Sequence, residues 1–227
     1  MNNIIFFVPA RQGSKGLIGK NFRLMDGKPL LLYTLELIKT LNIENSSVII
    51  STDNLEFHEK VLEYGFLLDK RSEELAGDDV LINDVILNAV GNSINVLKNE
   101  ATNWIVLLEP TTPLRTLESI CSLVKLISEN SYTSIVSVVE DSSVMWYPTG
   151  ASLSRVSISS SNRQMRSKAF REVGVFYAST WEHFLSSGFF SESTVPVVVG
   201  KEESLDINDI YDWTIVECLM KRKNELF

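Results

Sequence analysis

The sequence is poor in the residues that usually announce a metal centre or a disulfide scaffold. It has two cysteines and two histidines in 227 residues. Cys121 and Cys218 stand far apart, each at an apolar position of a predicted helix. That pattern predicts buried free thiols rather than a disulfide. His58 and His183 have no neighbour at metal-ligand spacing, which argues against a histidine-rich zinc site and a Cys/His nucleophile pair. No apolar run approaches the ~18 residues a spanning helix requires, so an integral membrane protein is not expected. The apolar stretch 4–10 lacks a preceding positive charge and contains Pro9. It predicts a strand rather than an export signal, and hence a reducing, cytoplasmic setting. Basic charge is also scarce: 21 Lys and Arg face 29 Asp and Glu, a formal charge of −8. A general nucleic-acid binder would carry a basic face, so none is expected.

What is present reads as an ordinary globular chain. The length suffices to bury a core without staples, so a single domain over residues 1–227 is expected. Apolar runs suited to strands, at residues 4–9, 48–51, 104–108 and 135–139, alternate with segments of helical periodicity at 30–41, 55–64, 80–97 and 117–127. Further strand character follows at 173–177 and 195–199, with a closing helix at 210–221. Strands alternating with helices imply crossover units, hence an α/β fold with a mostly parallel sheet and helices on both faces. The polar loops after Pro9, Ser51 and Leu108 then fall at the carboxyl ends of strands, where such folds bind ligands. The rhythm breaks over residues 141–172, a Ser- and Arg-rich stretch too long for a routine connection. Trp146 and Tyr147 give it something to bury, which favours an arm or small subdomain.

The charge is not spread evenly. Between positions 11 and 28, Arg11, Lys15, Lys20, Arg23 and Lys28 face one acid, Asp26. A basic island in an acidic chain suits a compact polyanion such as a nucleoside triphosphate. The loop after the first strand reads Ala10-Arg11-Gln12-Gly13-Ser14-Lys15-Gly16-Leu17-Ile18-Gly19-Lys20-Asn21. Its glycines let backbone N–H groups approach phosphate oxygens and its bases neutralise them. It is not a Walker A loop, which needs Gly where Ser14 stands and Ser or Thr where Asn21 stands. Nor is it a dinucleotide fingerprint, which needs Gly where Arg11 stands.

Residues 10–16 with Lys20-Asn21 resemble the signature of the CMP-sialic acid synthetases, the acylneuraminate cytidylyltransferases. Further stretches agree in order: Ser51-Thr52-Asp53; Arg71 with Glu74-Leu75-Ala76 and Asp78; Leu107 to Arg115; Arg163-Gln164 with Phe170-Arg171 and Gly174 to Tyr177; and Leu205-Asp206-Ile207-Asn208 with Asp212. The resemblance runs over about residues 4–213. It implies a Rossmann-like nucleotidyltransferase sheet and a reaction in which CTP and a nonulosonic acid give the CMP-sugar and pyrophosphate. N-acetylneuraminic acid is the first acceptor to consider; legionaminic and pseudaminic acids are alternatives.

The same resemblance distributes roles. Arg11, Gly13, Ser14 and Lys20 would hold the triphosphate, and Asn21 and Arg71 the cytidine. Asp206 would bind Mg²⁺, with Asn208 beside it, and Arg11, Lys20 and Asp206 would carry catalysis. Glu109, Arg171, Tyr177, Phe189 and Phe190 would meet the sugar. Residues 141–172 would form an arm crossing to a second subunit of a homodimer, with Arg163 or Gln164 reaching the partner's site. No general base is named. Phe189-Phe190 reads equally as ordinary core.

Two departures bear on this. The family's second metal aspartate falls at Asn208, whose amide can ligate but brings no charge. Weaker Mg²⁺ binding is therefore expected, and Asp212 is the residue that could compensate. The family's Gln before Pro110 falls at Glu109, which would repel an acidic sugar unless it pairs with a base or accepts hydroxyls. Two rival readings remain, the first in the same broad enzyme class and the second in another. One is a sugar-1-phosphate nucleotidyltransferase, which leaves Lys20-Asn21 unexplained. The other is a nucleotide-binding regulatory module without catalysis, which Asn208 keeps open.

Overall fold

A computed structural model describes residues 3–14, 16–93, 103–129, 131–156 and 168–225. The chain opens with β1 (Asn3–Pro9), a 3-10 turn at Lys20–Phe22, β2 (Leu24–Met25), β3 (Lys28–Pro29) and α1 (Leu30–Leu41). Then come β4 (Ser46–Thr52), a 3-10 turn at Leu55–Phe57, α2 (His58–Glu63), β5 (Leu67–Lys70), a 3-10 turn at Glu74–Ala76 and α3 (Ile82–Asn92). The second half holds β6 (Asn103–Leu107), α4 (Leu117–Ser128), β7 (Ser134–Asp141), β8 (Trp146–Thr149), β9 (Ser152–Arg155), β10 (Ala169–Thr180), α5 (Trp181–Ser187), β11 (Val195–Val198) and α6 (Ile210–Glu225).

Seven strands form one sheet in the order β11-β7-β10-β6-β1-β4-β5. Every pairing is parallel except those of β10, which runs antiparallel to both β6 and β7. The expected mostly parallel α/β sheet is therefore found. Alternation along β1 decides what covers each face. Ile4, Phe6 and Val8 point to α1, α2 and α4, where Leu31, Leu35, Val61, Ile120 and Leu123 meet them. Ile5 and Phe7 point to α3 and α5, against Ile86, Ala89, Trp181 and Phe184. A strand buried on both faces must be apolar at successive residues, which is why β1 shows no polar alternation.

A third apolar cluster joins Leu17, Met25, Leu30 and Leu114 to Ile207, Trp213, Val216 and Met220. It packs α6 under the glycine-rich loop. This is how the end of the chain is brought to its beginning.

Two sequence expectations need correction. Cys121 and Cys218 are free but exposed, not buried. The buried stripe of α4 is Ile120, Leu123 and Ile127, and that of α6 is Trp213, Val216 and Met220, so each cysteine lies beside its stripe. The irregular 141–172 segment also begins and ends inside the sheet. Asp141 closes β7 and Ala169 opens β10, and between them β8 and β9 form a separate two-stranded hairpin. Of the helix expected at 80–97, α3 supplies Ile82–Asn92, and positions 94–97 lie outside the described residues.

Candidate active site

The carboxyl ends of β1, β4 and β6 deliver the polar loops to one rim of the sheet, as parallel connectivity requires. The loop after β1 is tied down at several points. Ala10 N–H extends the ladder to Ser51 O at 2.8 Å, and Gln12 N–H donates to Asp53 Oδ1 at 2.7 Å. Asn21 is buried; its Nδ2 donates to Arg11 O at 3.1 Å while its Oδ1 has no partner. Lys20 Nζ donates to Ile207 O at 2.7 Å, across 187 positions of sequence. At Gly16 the loop lies so close to the main chain of residue 208 that an added Cβ would stand 2.1 Å from Asn208 O. Glycine is required there for close approach, not for an unusual dihedral.

These contacts line a cleft of about 470 Å³. Arg11, Ser14, Lys20 and Asn21 form its loop wall, and Asp206 and Asn208 its far side. Arg11 Nη1 pairs with Asp78 Oδ1 at 2.7 Å and donates to Ala76 O at 3.1 Å. Arg71 is buried and donates from Nε to Ser51 Oγ at 3.0 Å and from Nη2 to Ser51 O at 3.1 Å. Burial lowers its pKa to about 10; Asp53 and Asp69 pull upward and Arg11 pushes down. It therefore stays cationic at neutral pH. Val80, Ile82 and Val85, where α3 begins, supply an apolar patch. Gly13 is exposed and off this wall.

A second hollow of about 350 Å³ adjoins the first. Arg171, Glu172, Gly174 and Tyr177 of β10 line it, with Asp206, Asn208 and Asp212 opposite. Asp206 and Asn208 thus face both spaces. Arg171 Nε also stands 3.4 Å from Asp141 Oδ2. Phe189 sits in the core, edge-on to Phe184 with ring centroids 5.0 Å apart, and backs the ring of Tyr177. Phe190 is half exposed and meets Tyr177 edge-on at 5.9 Å. Arg163 and Gln164 lie outside the described residues.

The segment carrying Asp206 is held from three directions. Glu203, buried, accepts from Thr116 N–H at 2.9 Å, Ser119 Oγ at 2.6 Å and Gly200 N–H at 3.1 Å. Ile207 N–H donates to Thr111 O at 2.9 Å, and Lys20 holds Ile207 O. Asp206 Oδ2 accepts from Asn208 Nδ2 at 3.0 Å, while its Oδ1 is buried without a partner. Asp209 caps α6 through the N–H groups of Tyr211 and Asp212. Asp212 accepts from Asn208 N–H at 2.8 Å. Among the described residues no three His, Cys, Asp or Glu gather as a metal cluster. One unpartnered carboxylate oxygen beside an amide fits a cation that takes one or two protein ligands and shares the rest with substrate phosphates.

Burial pushes the Glu109 carboxyl up to about 7. Asp206 and Glu172 push the same way, while Lys20 and Arg115 pull down. The folded state thus holds a proton that the unfolded chain releases near pH 4.5. Stability from this group is greatest below pH 4.5, falls between 4.5 and 7, and levels off above. Glu109→Gln removes that loss. In chelator, its stability relative to the wild type should rise by on the order of 3 kcal/mol between pH 4 and pH 8. Denaturant unfolding at both pH values reads this directly, and a constant difference would mean that Glu109 titrates as an ordinary surface acid.

Several participants escaped the sequence. Asp78 as the partner of Arg11, Glu172 beside Tyr177, and the apolar patch of α3 converge only in space. The one available signal was the apolar run Val80-Leu81-Ile82 directly after two aspartates.

Comparison with known proteins bears on the fold and the family. The family model described as Cytidylyltransferase matches residues 5–153. The chain is 29% identical to the CMP-N,N'-diacetyllegionaminic acid synthase of Legionella pneumophila, over 98% of this chain and 98% of that protein. It is 30% identical to the N-acylneuraminate cytidylyltransferase of Escherichia coli, over 97% of this chain but 53% of that protein. The chain therefore spans about half the length of the latter. Among solved structures, CMP:2-keto-3-deoxy-manno-octonic acid synthetase complexed with CTP aligns with a TM-score of 0.67 at 15% identity. That alignment covers 97% of this chain and 99% of the other, and bears on the fold.

Proposed function

We propose a function from one premise: this chain belongs to the cytidylyltransferase family. It transfers CMP from CTP to the anomeric hydroxyl of a nonulosonic acid and releases pyrophosphate. The observation that carries the reading is the pair of adjoining spaces that share Asp206 and Asn208. A nucleotide in the larger cleft and a sugar in the smaller would meet there, which supplies the proximity a two-anion reaction needs.

In this reading Arg11, Ser14 and Lys20 hold the triphosphate, and Asn21 and Arg71 hold the cytidine. The unpartnered Oδ1 of Asn21 offers an acceptor and the buried Arg71 a fixed cation. Asp206 and Asn208 would hold Mg²⁺, which neutralises phosphate charge when bound. Tyr177 and Arg171 line the acceptor space, while Glu109 stands on the wall of the larger cleft, against Gly174 of β10 where the two spaces adjoin. With its carboxyl near pKa 7, Glu109 carries a proton in a good part of the molecules at neutral pH. In that form it offers one donor and one acceptor, as an amide does, which removes the repulsion of an acidic sugar.

N-acetylneuraminic acid is the reference acceptor. A diacetylated legionaminic acid is the second reading, favoured by the near full-length similarity to the Legionella protein. The homodimer is part of the proposal. Met145, Trp146, Tyr147 and Leu153 are exposed on the β8–β9 hairpin, which suits an arm that packs on a second copy. No helix among the described residues is long and apolar enough to cross a membrane.

The test is pyrophosphate release from CTP and Mg²⁺ with N-acetylneuraminic, legionaminic and pseudaminic acids and Kdo offered separately. Release with a nine-carbon acid is expected. Chelation of divalent cations should then cut the rate by roughly two orders of magnitude or more. CTP binding with no release from any acid would favour the non-catalytic module instead.

A further inference from the structure

β10 carries an irregularity that the reaction scheme does not use. Its pairing with β7 places Glu172 opposite Val138 and Tyr177 opposite Val136. Four residues, 173–176, therefore face the single residue Ser137, a bulge three residues larger than a regular ladder allows. A bulge of this kind frees main-chain carbonyls that would otherwise be bonded, and in a buried place each must find a donor.

Three side chains serve the four, with Val173 O and Phe176 O sharing the single hydroxyl proton of Ser137. Ser137 Oγ lies 2.6 Å from Val173 O and 2.9 Å from Phe176 O, and accepts from Phe176 N–H at 3.0 Å. Thr112 Oγ1 donates to Gly174 O at 3.0 Å. Arg115 Nε donates to Val175 O at 2.6 Å. Arg115 Nη2 in turn donates to Thr112 Oγ1 at 2.6 Å and to Glu109 O at 2.8 Å. Thr112, Arg115 and Ser137 are all buried. The residues flanking the bulge, Glu172 and Tyr177, line the smaller pocket, and Gly174 passes so close to Glu109 that an added Cβ would stand 3.3 Å from Glu109 Oε2.

We infer that Thr112 is a positioning residue for the acceptor: its hydroxyl pins the β10 bulge to the loop carrying Glu109, and so sets the pocket formed by Glu172 and Tyr177. The inference rests on the proposed cytidylyl transfer to a sugar acid. Glu109, Pro110 and Thr111, just before Thr112, stand on the wall of the nucleotide cleft, but Thr112 does not, and its hydroxyl is bonded to Gly174 O of β10 and to Arg115. Loss of the hydroxyl leaves Gly174 O buried without its donor and takes one acceptor from Arg115, which keeps Val175 O and Glu109 O, and the bulge relaxes toward the regular ladder. Acceptor binding then suffers and CTP binding does not.

Thr112→Val keeps the shape and removes the hydroxyl; Thr112→Ser keeps the hydroxyl and removes the methyl. The expected result is a KM for the sugar acid raised about tenfold in Thr112→Val, with the KM for CTP within about twofold of the wild type and Thr112→Ser close to wild type in both. Ser137→Ala removes the pins on the other side of the bulge and should give the same acceptor-selective change, which covers a Thr112→Val protein that fails to fold. A fall in melting temperature with both KM values unchanged, or an equal rise in both, would overturn the inference while leaving the reaction standing. A wild type that binds CTP but turns over none of the four acids would overturn the reaction, and the inference with it.

Discussion

Arg11→Ala is expected to slow turnover by roughly 10²–10³ while leaving the melting temperature almost unchanged. The side chain stands on the wall of the larger cleft, in the loop where positive charge is concentrated. It pairs with Asp78 at 2.7 Å, and both side chains are about a third exposed (27% and 37%). An ion pair in that setting contributes only about 0–1 kcal/mol to stability, so its loss is mild and its rearrangement is cheap. A triphosphate competes readily for the guanidinium, whose fork of donors matches phosphate oxygens. As pyrophosphate departs, negative charge grows on the leaving oxygens, and a cation held there stabilises the transition state more than the ground state. Arg11→Lys should recover only part of the rate, because an ammonium lacks the fork. Steady-state kinetics beside a thermal melt checks both halves. A near-normal rate for Arg11→Ala would remove this residue from the site.

Gly16→Ala should cost about 10² in rate for a different reason. The new methyl would stand 2.1 Å from Asn208 O, and a carbonyl of the main chain is not a flexible side-chain end that can swing away. Relief demands a displacement of about 1 Å between the phosphate loop and the segment that carries Asp206, enough to cost about that factor in a preorganised site. The loop is exposed at Gly16 and can lift, so activity falls further than stability does. Gly13→Ala is the control, since nothing lies within 4 Å of a Cβ there. The unliganded Gly13→Ala protein should melt like the wild type, and Gly16→Ala several degrees lower. Equal melting temperatures together with a normal rate for Gly16→Ala would mean that the loop and the Asp206 segment do not need to touch.

The parts that could be read from the sequence are those fixed by near neighbours. β1 declared itself by an unbroken apolar run, and α1 by its periodicity between Pro29 and Asn42, the latter in the left-handed conformation that ends a helix. β5 did not. Leu67 to Lys70 is four residues with one buried, Asp69, and its strand character comes from pairing with Ile49 to Thr52 at the sheet edge. α5 escaped because seven residues make two turns, too few for a period to stand out; Thr180 caps it by accepting from His183 N–H. The cysteines went to the wrong side for a related reason. Ile120 and Cys121 both fit an apolar stripe, and only the position of the sheet selects Ile120.

The candidate site divides in the same way. The sequence by itself determined the chemistry available: a glycine-rich basic loop after the first strand, an arginine after the second crossover, and an Asp-x-Asn segment near the end. These are local patterns, set by which residues follow one another. Only the tertiary structure decided that Lys20 grips Ile207 O, that Gly16 lies against Asn208, and that Asp206 and Asn208 face two spaces at once. It alone decided the Arg115–Thr112–Ser137 bracket and the raised pKa of Glu109. Desolvation, convergence and close main-chain approach depend on packing between residues as many as 187 positions apart, and no window of sequence contains that packing.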